Sequence, residues 1–133
     1  MNESSKVEKL KIRISLPLII WGMTNVLFSV IFYFFVAELL RGILLQAFFW
    51  GLIDGLIGLF TYLRKKAFNL EKIKKILLIN TYLDVVYVII GIVLILIGFN
   101  LFLTGNGYGI IIQGLFLFVV DLLHYRHIKK SLI

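Results

Sequence analysis

Three aspartates, Asp54, Asp84 and Asp121, stand in stretches of sequence that otherwise read as soluble in lipid. Asp84 lies near the middle of the apolar run 76–99, within Ile79-Asn80-Thr81-Tyr82-Leu83-Asp84-Val85-Val86-Tyr87. An ionised aspartate at the centre of a membrane helix costs about 2.5–3.5 kcal/mol on insertion scales. Three together, ionised and unpaired, would cost on the order of 8–10 kcal/mol, as much as the roughly 5–15 kcal/mol stability of a whole domain. No lysine or arginine lies deep enough in these runs to pair with them. The expectation is that they are protonated, that they share a bound cation, or that a vestibule wets them. A titratable group in a polar vestibule is what a proton- or cation-coupled carrier needs. The competing reading is packing, since Asn, Gln and protonated Asp hydrogen-bond between membrane helices at about 0.6–2 kcal/mol each. Packing is favoured for Gln46 and Gln113, and binding for the group around Asp84.

Other chemistry finds less support. Asp121-x-x-His124-x-x-His127 places candidate metal ligands, Asp121 and His124 first, on successive helical turns. A zinc or iron site would need further His or Glu ligands, and only 2 histidines exist. The chain has no cysteine, which excludes disulfides, thiolate metal sites and cysteine catalysis. It has no Gly-x-Ser-x-Gly, His-Glu-x-x-His or phosphate loop. The expectation is a protein that is not an enzyme and carries no cofactor.

The elements that must position these residues follow from composition. Of 133 residues 61% are hydrophobic, too many for a water-soluble domain of this size, whose exterior must be largely polar. Runs of 18 or more apolar residues mark membrane spans, and four occur, at about 15–36, 42–63, 76–99 and 108–125. The expected fold is all-α and integral to the membrane: four transmembrane helices in two tandem hairpins, a single membrane domain over residues 1–133. Net charge is +7, yet nucleic acid is not the expected partner, because the charge follows the spans: of 14 basic residues only Arg41 falls between spans 1 and 2 or spans 3 and 4. The positive-inside bias then places both termini in the cytoplasm, in a multi-pass protein of the cell membrane. The apolar run after Arg13 is too long for a cleaved signal peptide.

Along the chain, residues 2–13 read as a surface helix or a tail, and Ser15 with Pro17 as the start of the first span. In span 1, Gly22, Asn25 and Ser29 share a face. In span 2, Ala47, Trp50, Gly51, Asp54, Gly58, Thr61 and Tyr62 form a small, polar half, with Gln46 and Gly55 at its margins, opposite a half of Phe and Leu. The small half should face protein and the large half acyl chains, with Gly51-x-x-x-Gly55 a packing motif. The charged connection 64–75 is compatible with a helix. Asn80, Asp84, Tyr87, Gly91 and Gly98 form one seam of span 3. Gly105-Asn106-Gly107 marks a turn, with Leu101-Phe102-Leu103 dipping into the interface, and Gln113, Leu117, Asp121 and His124 line one side of span 4.

The halves 15–66 and 73–130 resemble each other. The stretch from Gly42 to Asp54 aligns without a gap with that from Gly109 to Asp121, so that Gly, Ile, Gln, Phe and Asp coincide, and Asn25 falls against Asp84. Two spans per repeat imply a symmetry axis along the membrane normal. A bundle of four inward polar faces would gather Asn25, Asp54, Asp84 and Asp121 toward the cytoplasmic half and Gln46 and Gln113 in the outer half.

Asn80-x-x-Leu83-Asp84-x-x-Tyr87, and Gly107-x-Gly109 followed by Gln113-Gly114-x-Phe116-Leu117-x-x-x-Asp121, resemble a prokaryotic family of small four-span membrane proteins of unknown function. The likeness lies mainly in the second half, with Trp21-Gly22 and Trp50 similar in the first. It implies the four-span fold and no particular activity. The expected function is binding or transport of a proton, cation or small solute at a polar site between the helices, with Asp84 and Asp54 central and Asn25, Asn80, Asp121, Gln46 and Gln113 around them. The alternative is a non-catalytic accessory or assembly subunit. Partners are the lipid bilayer and, in either case, further copies of the chain or a larger membrane complex.

Overall fold

A computed structural model describes residues 3–64 and 69–131. Lys65 and Lys66, part of the charged connection, lie outside the described residues. Four helices follow one another: α1 Glu3–Phe32, α2 Glu38–Leu63, α3 Leu70–Ile97 and α4 Leu101–Ser131. A single 3-10 turn, Tyr33–Phe35, extends α1. Each helix is long and apolar enough to cross a membrane, with mean hydropathy between 1.7 and 2.2 over its best window.

Two antiparallel hairpins, α1/α2 and α3/α4, dock along α2 and α4. The start of α1, the end of α2, the start of α3 and the end of α4 lie at one end, called here the basic end. The two short links, 33–37 and 98–100, lie at the far end. Leu10 and Ile14 of α1, Leu77 of α3 and Ile128 of α4 pack together at the basic end. There too the buried Lys11 ammonium donates to the carbonyl of Arg64, where α2 has lost its own donors. At the far end Arg41 Nε donates to the Tyr33 carbonyl at 3.2 Å and closes the first hairpin.

Small residues make the seams. A Cβ on Gly22 would sit 2.5 Å from the Gly51 carbonyl, and one on Gly91 2.7 Å from that of Gly107. At the α2–α4 seam a Cβ on Gly42 would lie 2.6 Å from the Asn106 amide nitrogen. Backbones approach this closely only where side chains are absent. The face expected for α2 is the one observed, with Gly42, Ala47, Gly51, Asp54 and Gly58 buried; Tyr62 alone turns outward. The exterior is aliphatic and aromatic, while Ser15, Ser29, Asp54, Asp84 and Gln113 are buried. This is the reverse of a water-soluble bundle and supports a membrane setting.

Three boundaries differ from the sequence expectation. Residues 3–13 are neither a separate surface helix nor a tail but the first turns of α1, and Pro17 lies inside that helix rather than at its start. Proline removes one hydrogen bond from the ladder, but Leu10 and Ile14, ahead of it, are held by α3 and α4. Gly105-Asn106-Gly107 is not a turn: α4 begins at Leu101, with Asn100 Oδ1 accepting from the Leu103 amide at 2.8 Å. The reversal is made instead by Gly98, which caps α3 at φ 56° and so leaves the seam assigned to it. This left-handed backbone favours glycine.

Candidate functional site

The helical repeat delivers one aspartate from each of three helices to the interior. Asp54 sits among the glycines of α2, Asp84 between Thr81 and Gly91 on the buried stripe of α3, and Asp121 on the stripe Gln113, Leu117, Asp121, His124 of α4. Asp54 and Asp84 are each 2% exposed and Asp121 9%. The carboxyl groups of Asp84 and Asp121 lie within side-chain hydrogen-bonding reach of each other, and Asp54 lies within electrostatic reach of both. A hydrogen bond between two carboxyl groups needs a proton on one of them, because an ionised carboxylate only accepts. Asp54 Oδ2 and Asp84 Oδ2 find no hydrogen-bond partner among the described residues.

A cavity of about 170 Å³ runs from Arg64, at the end of α2, to Asn80 and Asp121. Its walls are mostly aliphatic, from Ile14 and Leu18 of α1, Ile57 of α2 and Ile76 of α3, with Thr61 and His124 adding polar groups. It lies in the basic-end half, and its mostly aliphatic walls differ from the polar vestibule that was one of the three sequence expectations. Asn80 lines it together with Asp121.

Asn25, Gln46 and Gln113 do not; they belong to two hydrogen-bond chains. In one, Trp21 Nε1 donates to Gln113 Oε1 at 2.8 Å, Gln113 Nε2 donates to Asn25 Oδ1 at 2.9 Å, and Asn25 Nδ2 donates to the Trp21 carbonyl at 2.7 Å. In the other, Trp50 Nε1 donates to Gln46 Oε1 at 3.1 Å, Gln46 Nε2 to Asn106 Oδ1 at 2.7 Å, and Asn106 Nδ2 to the Phe102 carbonyl at 2.9 Å. Each runs Trp to Gln to Asn to a backbone carbonyl four residues back, and the two use both tryptophans and both glutamines of the chain. The Trp21 ring also stacks on Phe116, centroids 4.0 Å apart. Asn25 is thus removed from the aspartate group: Gln113, across the hairpin interface, satisfies it. Asn106 was missed because its neighbours read as a turn. The shared Gln of the two half-sequences was the one signal that pointed to the pair.

Among the described residues no group of three or more His, Cys, Asp or Glu side chains could hold a metal ion. Asp121 and His124 line the same cavity but have no third ligand, so the metal assignment goes no further.

Fold and site together define a helical bundle with an apolar exterior, a buried carboxyl cluster and a cavity leading to it. The chain belongs to DUF6992, a family of unknown function whose model matches residues 17–122 and so takes in both hairpins. Neither the curated proteins nor the solved structures provide a match.

Proposed function

We propose that this is a multi-pass membrane protein that reversibly binds a proton at the Asp84–Asp121 pair, as a carrier or as a sensor of proton activity. The observation that carries the reading is the carboxyl–carboxyl contact beside a cavity open to only one of the two groups. A proton is favoured over a metal cation because, among the described residues, no set of three acidic or histidine side chains is placed to hold a metal ion. In the sequence, 13 of 14 basic residues lie before the first span, between the second and third, or after the fourth, with only Arg41 on the other side, which supports a cytoplasmic placement of the termini in the cell membrane. Asp54, within electrostatic reach of both members of the pair, sets the local field.

Thermal unfolding of the detergent-purified protein, wild type beside Asp84→Asn, tests this across pH and a panel of monovalent and divalent cations. A folded state that holds a proton the unfolded chain releases loses stability as pH rises. The wild-type midpoint should fall with rising pH, the variant should fall less, and the cations should have little effect. A cation-specific rise lost in the variant would make the site a cation site by mass action. A midpoint blind to pH and ions in both proteins would transfer the reading to an accessory subunit whose aspartates only pack.

A further inference from the structure

A second cavity lies at the far end and takes no part in the carboxyl site. It is a cleft of about 340 Å³ between the first two helices, lined by Ser29, Val30 and Tyr33 on one side and Leu44, Leu45 and Phe48 on the other. That volume falls at the lower end of ligand sites, about 300–1,000 Å³. Its walls are apolar in effect, because the Ser29 hydroxyl is turned to the carbonyls of Asn25 and Leu44, at 2.7 and 2.8 Å. Val30 is 58% exposed, so the cleft opens sideways onto the exterior of the bundle. Arg41, the one of 14 basic residues that falls between spans 1 and 2 or spans 3 and 4, stands beside it. The Arg41 guanidinium lies 5.8 Å from the centroid of the Tyr33 ring, and its Nε donates to the Tyr33 carbonyl. Among the described residues its terminal nitrogens have no partner, and no carboxylate pairs with it, exposed Glu38 one turn away included.

We propose that this cleft is a phospholipid site, with the lipid phosphate on the terminal nitrogens of Arg41 and one acyl chain between α1 and α2. The site is independent of the proton pair and needs only the membrane setting. Two features call for the two parts of one molecule. An unpaired guanidinium calls for an anion, and its fork of N–H donors matches phosphate oxygens. An apolar cleft opening on the exterior calls for hydrocarbon, and it follows the helices as an acyl chain would: Phe48 lies about 10 Å along α2 from Arg41, at roughly 1.5 Å per residue. A soluble anion would gain nothing from the cleft, and an uncharged lipid nothing from Arg41. The Nε bond to the Tyr33 carbonyl holds the guanidinium in place beside the cleft, so little side-chain freedom is lost when the phosphate arrives.

The test is native mass spectrometry of the full-length protein in detergent, titrated with dipalmitoyl phosphatidylglycerol. Wild type should take up one lipid per chain with a saturable affinity. Arg41→Gln should weaken it by about tenfold or more, the scale of a charge-assisted hydrogen bond. Val30→Trp, which adds bulk over the cleft at an exposed position, should weaken it comparably. Phe60→Trp, an exposed position on α2 outside the cleft, should bind like wild type, and Glu38→Gln no more weakly. Dipalmitoylglycerol, which lacks the phosphate, should bind wild type about tenfold or more less tightly, so the charge contact is tested even if Arg41→Gln does not fold. Glycerol phosphate alone should not bind. Lipid adducts that grow without saturation overturn the site, as do unchanged affinity in Arg41→Gln or in Val30→Trp and equal affinity for the uncharged lipid. A lipid-free dimer that phosphatidylglycerol does not displace would give the cleft to a second copy of the chain and overturn it as well.

Discussion

The indole of Trp21 on α1 donates to the side-chain carbonyl of Gln113 on α4 at 2.8 Å, joining the first hairpin to the second through a polar bond. The amide end of Gln113 is occupied by Asn25, and the whole group is buried or half-buried. Such a chain tolerates little loss, because a partner removed leaves its neighbour unpaired in a medium with no water to replace it.

Trp21→Phe should keep most of the stacking on Phe116 and lose the hydrogen bond. The expected destabilisation is about 0.6–1.7 kcal/mol, the range for interhelical polar contacts in membranes. Gln113→Leu should cost more, about 1–3 kcal/mol, because it strands both Trp21 and Asn25. The double variant should be less destabilised than the sum, as groups in one network couple. Reversible unfolding in mixed detergent measures all three, and strict additivity would show that the chain is not a unit.

Two glycines of α2 should behave oppositely. Gly42→Ala drives a methyl group into the backbone of α4 at Asn106 and should destabilise by about 1–3 kcal/mol, the usual range for overpacking. Gly55→Ala meets its nearest atom, Gly22 Cα, at 3.9 Å and should be neutral or stabilising. The same unfolding assay ranks them. Equal effects would mean that α2 and α4 are not in the contact described.

At Gly98 the positive φ makes alanine strained whatever the space around it. Gly98→Ala should cost about 1–2 kcal/mol, whereas Gly98→Asn, which tolerates the left-handed region better, should cost less. A variant as stable as wild type would place the reversal between α3 and α4 elsewhere.

Much of the bundle was legible because a helix in lipid segregates residues by size and polarity. The faces Gly22–Asn25–Ser29 and Gln113–Leu117–Asp121–His124, and the Gly51/Gly55 packing motif, follow from the 3.6-residue repeat alone. The errors have one physical source. In water, Gly and Asn mark turns and Pro marks helix starts. In a bundle with an apolar exterior the same small residues mark helix contacts, so Gly105 and Asn106 pack on α2, Gly107 packs on α3, and Pro17 is carried inside α1. The partnership of Asn25 with Gln113 was out of reach for a different reason. It depends on which helices of the two hairpins touch, and no periodicity within a single helix encodes that.

Asp54→Asn should separate the neighbour from the pair. It removes an ionisable group close to both carboxyls while keeping a polar group of the same shape at a site 2% exposed. The variant should be at least as stable as wild type and should retain a pH-dependent midpoint, because Asp84 and Asp121 remain. Loss of the pH dependence in thermal unfolding would make Asp54 a member of the proton site itself.

The most direct measurement is static infrared spectroscopy of the protonated-carboxyl band as a function of pH, in wild type, Asp84→Asn and Asp121→Asn. The pair described here predicts a wild-type band that disappears reversibly as pH rises and is altered in both variants, because each aspartate defines the other's environment. A band that persists at every accessible pH, or one that neither variant changes, would contradict a proton held between Asp84 and Asp121.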